Sequence, residues 1–299
     1  MTTFHVQPDG RVLVRPDQTM TIATWLDTFK ISKAAQKNIV LPSSIHPNRP
    51  FSVTLKRFDS PVWHEQEARI VYEDDTCLVA YKPAGSLVHD DGSGACTLED
   101  GVNAYLARQG FPFRAKACHR LDVETCGLVL FCKIPFLQSF YDAQFRDQTI
   151  QKEYYLITQG RPKQNRQIVE LPIARDRHDA RKMIARPGGK EATTIFQTLR
   201  ADGGFALLKA RIVHGRKHQI RLHAAQSGFP IVNDPLYNPN KKHGVLLLQC
   251  FHLGFVSAQN EQKTDIEVGL DPSLARFAQV HMQGVPHLGQ DVLDLENGF

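Results

Sequence analysis

Several absences narrow what this chain can be. Six cysteines stand in 299 residues and no pair has C-x-x-C spacing, so there is no sulfur-based metal signature. Four of them (Cys77, Cys126, Cys132, Cys250) fall in or beside apolar strand-like segments, which suits reduced thiols better than a disulfide framework. The expected compartment is therefore cytoplasmic. No apolar run approaches the roughly 18 residues of a membrane-spanning helix, and Met1-Thr2-Thr3-Phe4 opens no signal-peptide pattern. A phosphate-binding glycine loop, an internal repeat and a low-complexity tract are all missing. What is left is an ordinary globular composition, 42% hydrophobic and 22% charged. It allows one large domain, or a large one with a small companion.

Net charge is only +5, but it is unevenly placed. Residues 161–190 hold nine Lys or Arg against three acids, whereas residues 261–299 hold seven acids against two bases. A basic middle beside an acidic tail suits a polyanionic partner that meets one face, although a solvated basic loop explains the same count.

Residues 1–67 read as a small N-terminal appendage. Thr21 to Val40 holds a short helix with Ile22, Trp25, Leu26, Phe29 and Ile31 on its apolar side, and Phe51 to Lys56 alternates like a strand. The appendage joins the rest near Pro61-Val62-Trp63. From Arg69 to Gly85 the pattern is strand, acidic turn, strand, then a Pro/Gly stop. Thr97 to Asp100 has capping-box spacing ahead of a helix with Leu98, Val102, Tyr105 and Leu106 on one face. Another helix is expected from Pro135 to Phe145, strands at 150–158, 193–199 and 205–213, and a helix from His218 to Ser227. The elements mix without regular βα alternation, which predicts an α+β domain on a mixed, largely antiparallel sheet flanked by helices.

Three clusters could carry chemistry. His119-Arg120-Leu121-Asp122 lies on a loop, and the apolar run Leu128 to Phe131 follows it into the core. Lys152 and Tyr154 share one face of a strand. Gly215-Arg216-Lys217-His218-Gln219-Ile220-Arg221 is a glycine turn running into a helix, where His218 and Arg221 share a face near the N-terminus. Singly, each has a bland reading as a turn residue, a core tyrosine or a solvated cation. Together they supply one carboxylate, one phenol and several cations able to hold phosphate. A metal site from His119, His218 and His223 and a Cys126/His119 hydrolase are weaker alternatives.

At these clusters the sequence resembles the RluA-type pseudouridine synthases. Their H-R-L-D-x-x-T-S-G-L signature is matched by His119 to Leu128, with Cys126 where serine is usual. Val71 to Gly85 resembles the family's first hairpin, Lys152-Glu153-Tyr154 its K-x-Y strand, and Lys190 to Thr194 its A-x-T stretch. Gly215 to His223, Gly228 to Ile231 and Asp234 to Tyr237 resemble its last motif, with Lys217 in place of Thr and Asn233 in place of Gly. The likeness spans residues 68 to 257.

The resemblance implies a catalytic domain over 68–257, a degenerate S4-like module in 1–67, and an acidic extension over 258–299 packed on or trailing the domain. It implies isomerisation of a uridine to pseudouridine in ribosomal or transfer RNA, after the nucleotide is flipped out. Asp122 corresponds to the essential acid, Arg221 to the arginine that pairs with it and keeps it ionised, and Tyr154 to the aromatic that stacks on the base. His119, Arg120, Lys152, Arg216, Lys217, His218 and Gln219 are the expected substrate contacts, with Arg120 propping the vacated position. A redox-neutral isomerisation needs no cofactor and no metal. The expected partner is RNA, with no membrane and no obligate assembly. The competing readings are a non-catalytic RNA-binding module and an RNA assembly factor that keeps the pocket.

Overall fold

The computed structural model describes residues 2–47, 49–55, 67–240 and 243–282. The expected junction at Pro61-Val62-Trp63 and the acidic end from 283 onward lie outside the described residues. The chain begins with strands β1 (Thr3–Val6) and β2 (Arg11–Arg15), helices α1 (Ile22–Thr28) and α2 (Lys33–Gln36), and strand β3 (Phe51–Thr54). β2 sits between β1 and β3 in an antiparallel sheet. Phe4, Val12, Val14 and Val53 point inward from it, and Trp25 and Phe29 are buried with them. Two helices form where one is expected between 21 and 40. Lys30 adopts a left-handed φ of 51°, which stops the first, and the Ser32 hydroxyl starts the second by accepting from the Ala35 amide.

The elements that follow are β4 (Arg69–Glu73), β5 (Cys77–Lys82), α3 (Leu98–Arg108), β6 (Lys116–Ala117), β7 (Cys126–Cys132) and α4 (Gln138–Arg146). Then come β8 (Gln151–Gln159), β9 (Arg166–Glu170), β10 (Ile173–Arg175), β11 (Met183–Ala185), β12 (Thr193–Asp202) and β13 (Phe205–Ile212). The last are α5 (Gln219–Gln226), β14 (Leu248–Val256), β15 (Lys263–Glu267) and α6 (Pro272–His281). Ten strands make one sheet in the order β4-β5-β7-β14-β8-β13-β12-β9, with β6 on β7 and β15 on β14, while β10 and β11 form a separate hairpin. Among the described strands, β7 with β14 is the parallel pairing and the other ladders are antiparallel. The fold is thus α+β on a mixed, largely antiparallel sheet.

Alternation along the central strands divides the core. Leu78, Ala80, Val129 and Phe131 pack with Leu98, Val102 and Leu106 of α3 and Ile220 and Ala224 of α5. Cys77, Val79, Leu128 and Leu130 pack with Tyr141 of α4 and with Phe4, Trp25 and Phe29 of the N-terminal unit. That unit therefore shares its core with the main sheet. The Thr97 capping box forms as expected, with the hydroxyl accepting from the Asp100 amide and the Asp100 carboxylate accepting from the Thr97 amide.

The described part of the expected extension, residues 258–282, packs on the sheet. β15 pairs with β14 over five positions, and Leu274 and Ala278 of α6 are buried against Ile157 and Leu207. Burying those apolar faces makes residues 258–282 part of the sheet's own packing.

β7 fixes where the polar loop before it can point. All seven of its residues are buried, as in a strand covered on both faces. Gly127 has φ +120°, and a Cβ there would lie 2.1 Å from the Cys250 carbonyl oxygen of β14. Only glycine allows that approach. Gly127→Ala is expected to cost about 3 kcal/mol or more, because backbone rather than a flexible side chain blocks the methyl. Urea unfolding checks this, and a loss under about 1 kcal/mol would show that the two strands can separate at little cost.

Candidate active site

Residues 118–125 join β6 to β7 at the level where β14 begins. The Thr125 amide donates to the Asp122 carbonyl at 3.0 Å, closing a turn that turns the Asp122 side chain towards α5. The loop is tied from below by Lys82, a fully buried lysine at the end of β5. Its ammonium donates to the carbonyls of Pro83 (3.0 Å), Ser86 (2.7 Å) and Val123 (2.9 Å), which uses all three protons on backbone. Burial pulls its pKa down to about 8, against the opposing pull of Cys126, Asp122 and Glu124.

Arg221 is the hub. It is 1% exposed and lies on α5. Its Nε and Nη2 donate to the two oxygens of Asp234 at 2.9 and 3.0 Å, a bidentate pair with a carboxylate that is 0% exposed. Its Nη1 donates to Glu124 at 3.1 Å and lies 3.6 Å from Asp122 Oδ2. The guanidinium also sits over the Tyr237 ring, 5.6 Å from its centre. Burial works against the arginine's charge, but Asp234, Glu124 and Asp122 outweigh it and raise the pKa. The sequence reading pairs Arg221 with Asp122; the structure places the two 3.6 Å apart and adds Asp234 and Glu124 as closer partners.

Arg221 favours the ionised form of Asp122, but burial outweighs it. Burial is the largest influence and pushes the Asp122 carboxyl up, with Glu124 adding to it, while Arg221, Arg120 and Lys217 oppose. His218 Nε2 lies 3.8 Å from Asp122 Oδ1. Burial, with Arg221 and Lys217 nearby, pushes that imidazole down to about 4, so it is neutral at pH 7. Tyr154 on β8 is buried, and burial, Cys250 and the Asp122 charge all raise its phenol, which stays protonated.

The other expected contacts divide into two groups. Arg120 and Lys217 are exposed, with charges close enough to act on Asp122. Lys152 lies over the Phe145 ring at 5.4 Å, with its pKa lowered by burial, and its charge also acts on His119. The remaining four were expected to touch substrate and have polar atoms engaged by the fold. Gln219 donates to the Thr193 carbonyl and the Thr194 hydroxyl and accepts from the Arg216 amide. His119 Nε2 accepts from the Leu130 amide, with its ring on Phe145. His218 Nδ1 meets the Tyr237 hydroxyl. Arg216 donates to the Glu191 carbonyl from a partly exposed position.

Sequence reasoning assigned no role to Lys82, Glu124, Asp234 or Tyr237. All four lie inside the motifs it singled out, and the usable signal was that a helix-borne arginine facing the core needs a buried carboxylate. Beside Glu124 a cavity of about 500 Å³ opens, lined also by Gly85, Asn233, Pro235 and His243.

Known proteins resemble this chain in sequence and in fold. The family described as RNA pseudouridylate synthase matches residues 76–226. The chain is 31% identical over 196 residues to an uncharacterized RNA pseudouridine synthase of Bacillus subtilis, covering 64% of each chain. It is 31% identical over 259 residues to the ribosomal large subunit pseudouridine synthase D of Zymomonas mobilis, 81% of this chain and 75% of that one. The solved structure of human RNA pseudouridylate synthase domain containing 4 shares the fold, with a TM-score of 0.60 and 22% identity over 70% of this chain and 91% of that one. The chain belongs to the RNA pseudouridylate synthase family. Within it, the chain is of the RluA type.

Two outcomes test the hub and the tie. Arg221→Met should lower stability by about 3–5 kcal/mol, because Asp234 is left buried and unpaired. Exposed Lys217→Met should change it by about 0.5 kcal/mol or less. Equal effects in urea denaturation would remove Arg221 from the centre of the site. For Lys82, the folded pKa of about 8 lies below the ordinary 10.5, so between those values the unfolded chain holds a proton the folded one has released. The lysine's contribution to stability therefore rises with pH across that window. The stability difference between wild type and Lys82→Met should widen from pH 8 to 10.5, and a flat difference would contradict the buried charge.

Proposed function

We propose that the protein isomerises uridine to pseudouridine in RNA, with Asp122 as the catalytic carboxylate. The observation that carries this reading is Asp122, a mostly buried carboxylate 3.6 Å from an arginine that Asp234 locks in place. Hydrolysis of a glycosidic bond generally uses two carboxylates and an activated water. Isomerisation instead needs one acid and a pocket from which water is kept, so that the detached base recombines. The N1–C1′ bond breaks, the uracil turns, C5 bonds to C1′, C5 loses its proton and N1 gains one. Tyr154 stacks on the base and Arg221 holds Asp122 in place.

The target base has to leave its stack to reach Asp122. Arg120, exposed beside the acid, is suited to prop the vacated position. Lys152, Arg216, Lys217 and the basic residues 161–190 would hold phosphates, a salt-sensitive and largely sequence-blind contribution. The names of relatives such as the Zymomonas synthase support ribosomal RNA as the substrate. Free cysteines buried at 77, 126, 132 and 250 support a cytoplasmic setting, and we take the acting unit to be a monomer.

The test uses total RNA labelled with tritium at uridine C5, from a strain lacking this gene. Wild type should release tritium and Asp122→Asn should not. Because burial raises the Asp122 pKa, the acid limb of kcat/KM should lie above the ordinary carboxylate range. No release by folded wild type would leave an RNA-binding module in place of an enzyme.

A further inference from the structure

His218 opens α5 from a left-handed backbone conformation, φ 54°, that a residue with a side chain adopts only at some cost. Its ring is 7% exposed and is wedged between Tyr237 and Asp122. The Tyr237 hydroxyl lies 2.9 Å from His218 Nδ1. The same hydroxyl accepts from the Met183 amide of β11 at 2.8 Å and lies 3.3 Å from the Met183 carbonyl.

A phenol has one proton to give. Here it goes to His218 Nδ1 or to the Met183 carbonyl, and the shorter distance favours the imidazole. An imidazole that accepts at Nδ1 carries its own proton at Nε2, the nitrogen that faces Asp122. The opposite arrangement would aim a ring lone pair at a carboxylate oxygen.

We propose that Tyr237 fixes His218 as the Nε2–H tautomer, making it a neutral positioning residue for Asp122 and linking the catalytic loop to the β10–β11 hairpin. The imidazole is uncharged at pH 7, since burial, Arg221 and Lys217 push it down to about 4. It therefore steers the carboxylate without adding a cation that would bind phosphate at random. At 3.8 Å the contact with Asp122 is longer than a hydrogen bond in this structure, and catalytic contacts of this kind often tighten in the substrate complex. The groups that face Asp122 are Arg221 and His218 from the α5 end, Lys217 and Arg120 from the flanking loops, Lys82 from the end of β5, Glu124, and the Tyr154 and Tyr237 phenols. The hairpin that bears Arg175, Arg177, Arg181 and Lys182 thus reports on Asp122 through Met183, Tyr237 and His218. The catalytic consequence rests on the synthase reading above, whereas the tautomer does not.

The first measurement is nitrogen-15 spectroscopy of histidine-labelled protein at pH 7, with the His218 signal assigned by its loss in His218→Leu. The expected result is a bare Nδ1 and a protonated Nε2 in wild type, giving way to averaged tautomers in Tyr237→Phe. A proton on Nδ1, or on both nitrogens, overturns the proposal. The second measurement is the pH profile of tritium release from the same total RNA. Tyr237→Phe and His218→Leu should lower kcat by roughly 10- to 100-fold with KM little changed. Their acid limb should move to higher pH, because the Asp122 carboxylate has lost a donor that favoured its charged form. His218→Gln, which keeps an amide donor, should recover part of the rate and of the shift. A change in KM alone, or an unmoved acid limb, overturns the positioning role. Unfolding curves identify any variant that fails to fold, and the wild-type spectrum decides the tautomer without it. Wild type that releases no tritium sinks the synthase reading, and the spectrum still decides the relay.

Discussion

The ion pair between Arg221 and Asp234 is the contact on which the site depends. Both groups are out of water, so each is tolerable only while the other is present, and the bidentate geometry leaves little freedom to either. Asp234 also accepts from the amides of Leu236 and Tyr237, so the pair holds a turn as well as a charge. With its position settled, the guanidinium keeps one nitrogen for Glu124 and Asp122. Burial, with Glu124 adding to it, is why the Asp122 carboxyl is pushed up, against the opposing pull of Arg221, Arg120 and Lys217.

The opposite side of the loop is held by backbone rather than by charge. Lys82 binds three carbonyls, and Gly127 lets β7 press against β14 closely enough to seat the loop at the sheet's centre. Asp122 is therefore placed by two independent constraints, one electrostatic from α5 and one steric from the strands. Preorganisation of this kind fixes the position of the carboxylate before any ligand arrives.

Much of this was legible in the sequence, and the parts that were not have physical causes. The β4–β5 and β12–β13 pairs, β7, β8 and the α3 cap follow from local alternation and capping chemistry, which depend on near neighbours. The seat of β7 on β14 does not, since Cys126 and Leu248 are 122 positions apart and no local pattern records the pairing. For the same reason the last strand and helix read as an extension rather than as part of the sheet. Asp122, Tyr154 and Arg221 stood out through motif resemblance. The neutrality of His218 and the buried partner of Arg221 are properties of burial, which residue type alone does not reveal.

The parallel pairing of β7 with β14 has a consequence for how the protein comes into being. Such a contact closes a very long loop, and its entropic cost falls due before any reward from packing. A nascent chain that has just exposed Asp122 has neither Arg221 nor the strand that seats the loop. Even after Arg221 emerges, Leu248 is still to come. The Asp122 loop can therefore take its seat only after β14, more than a hundred residues further on, has been made.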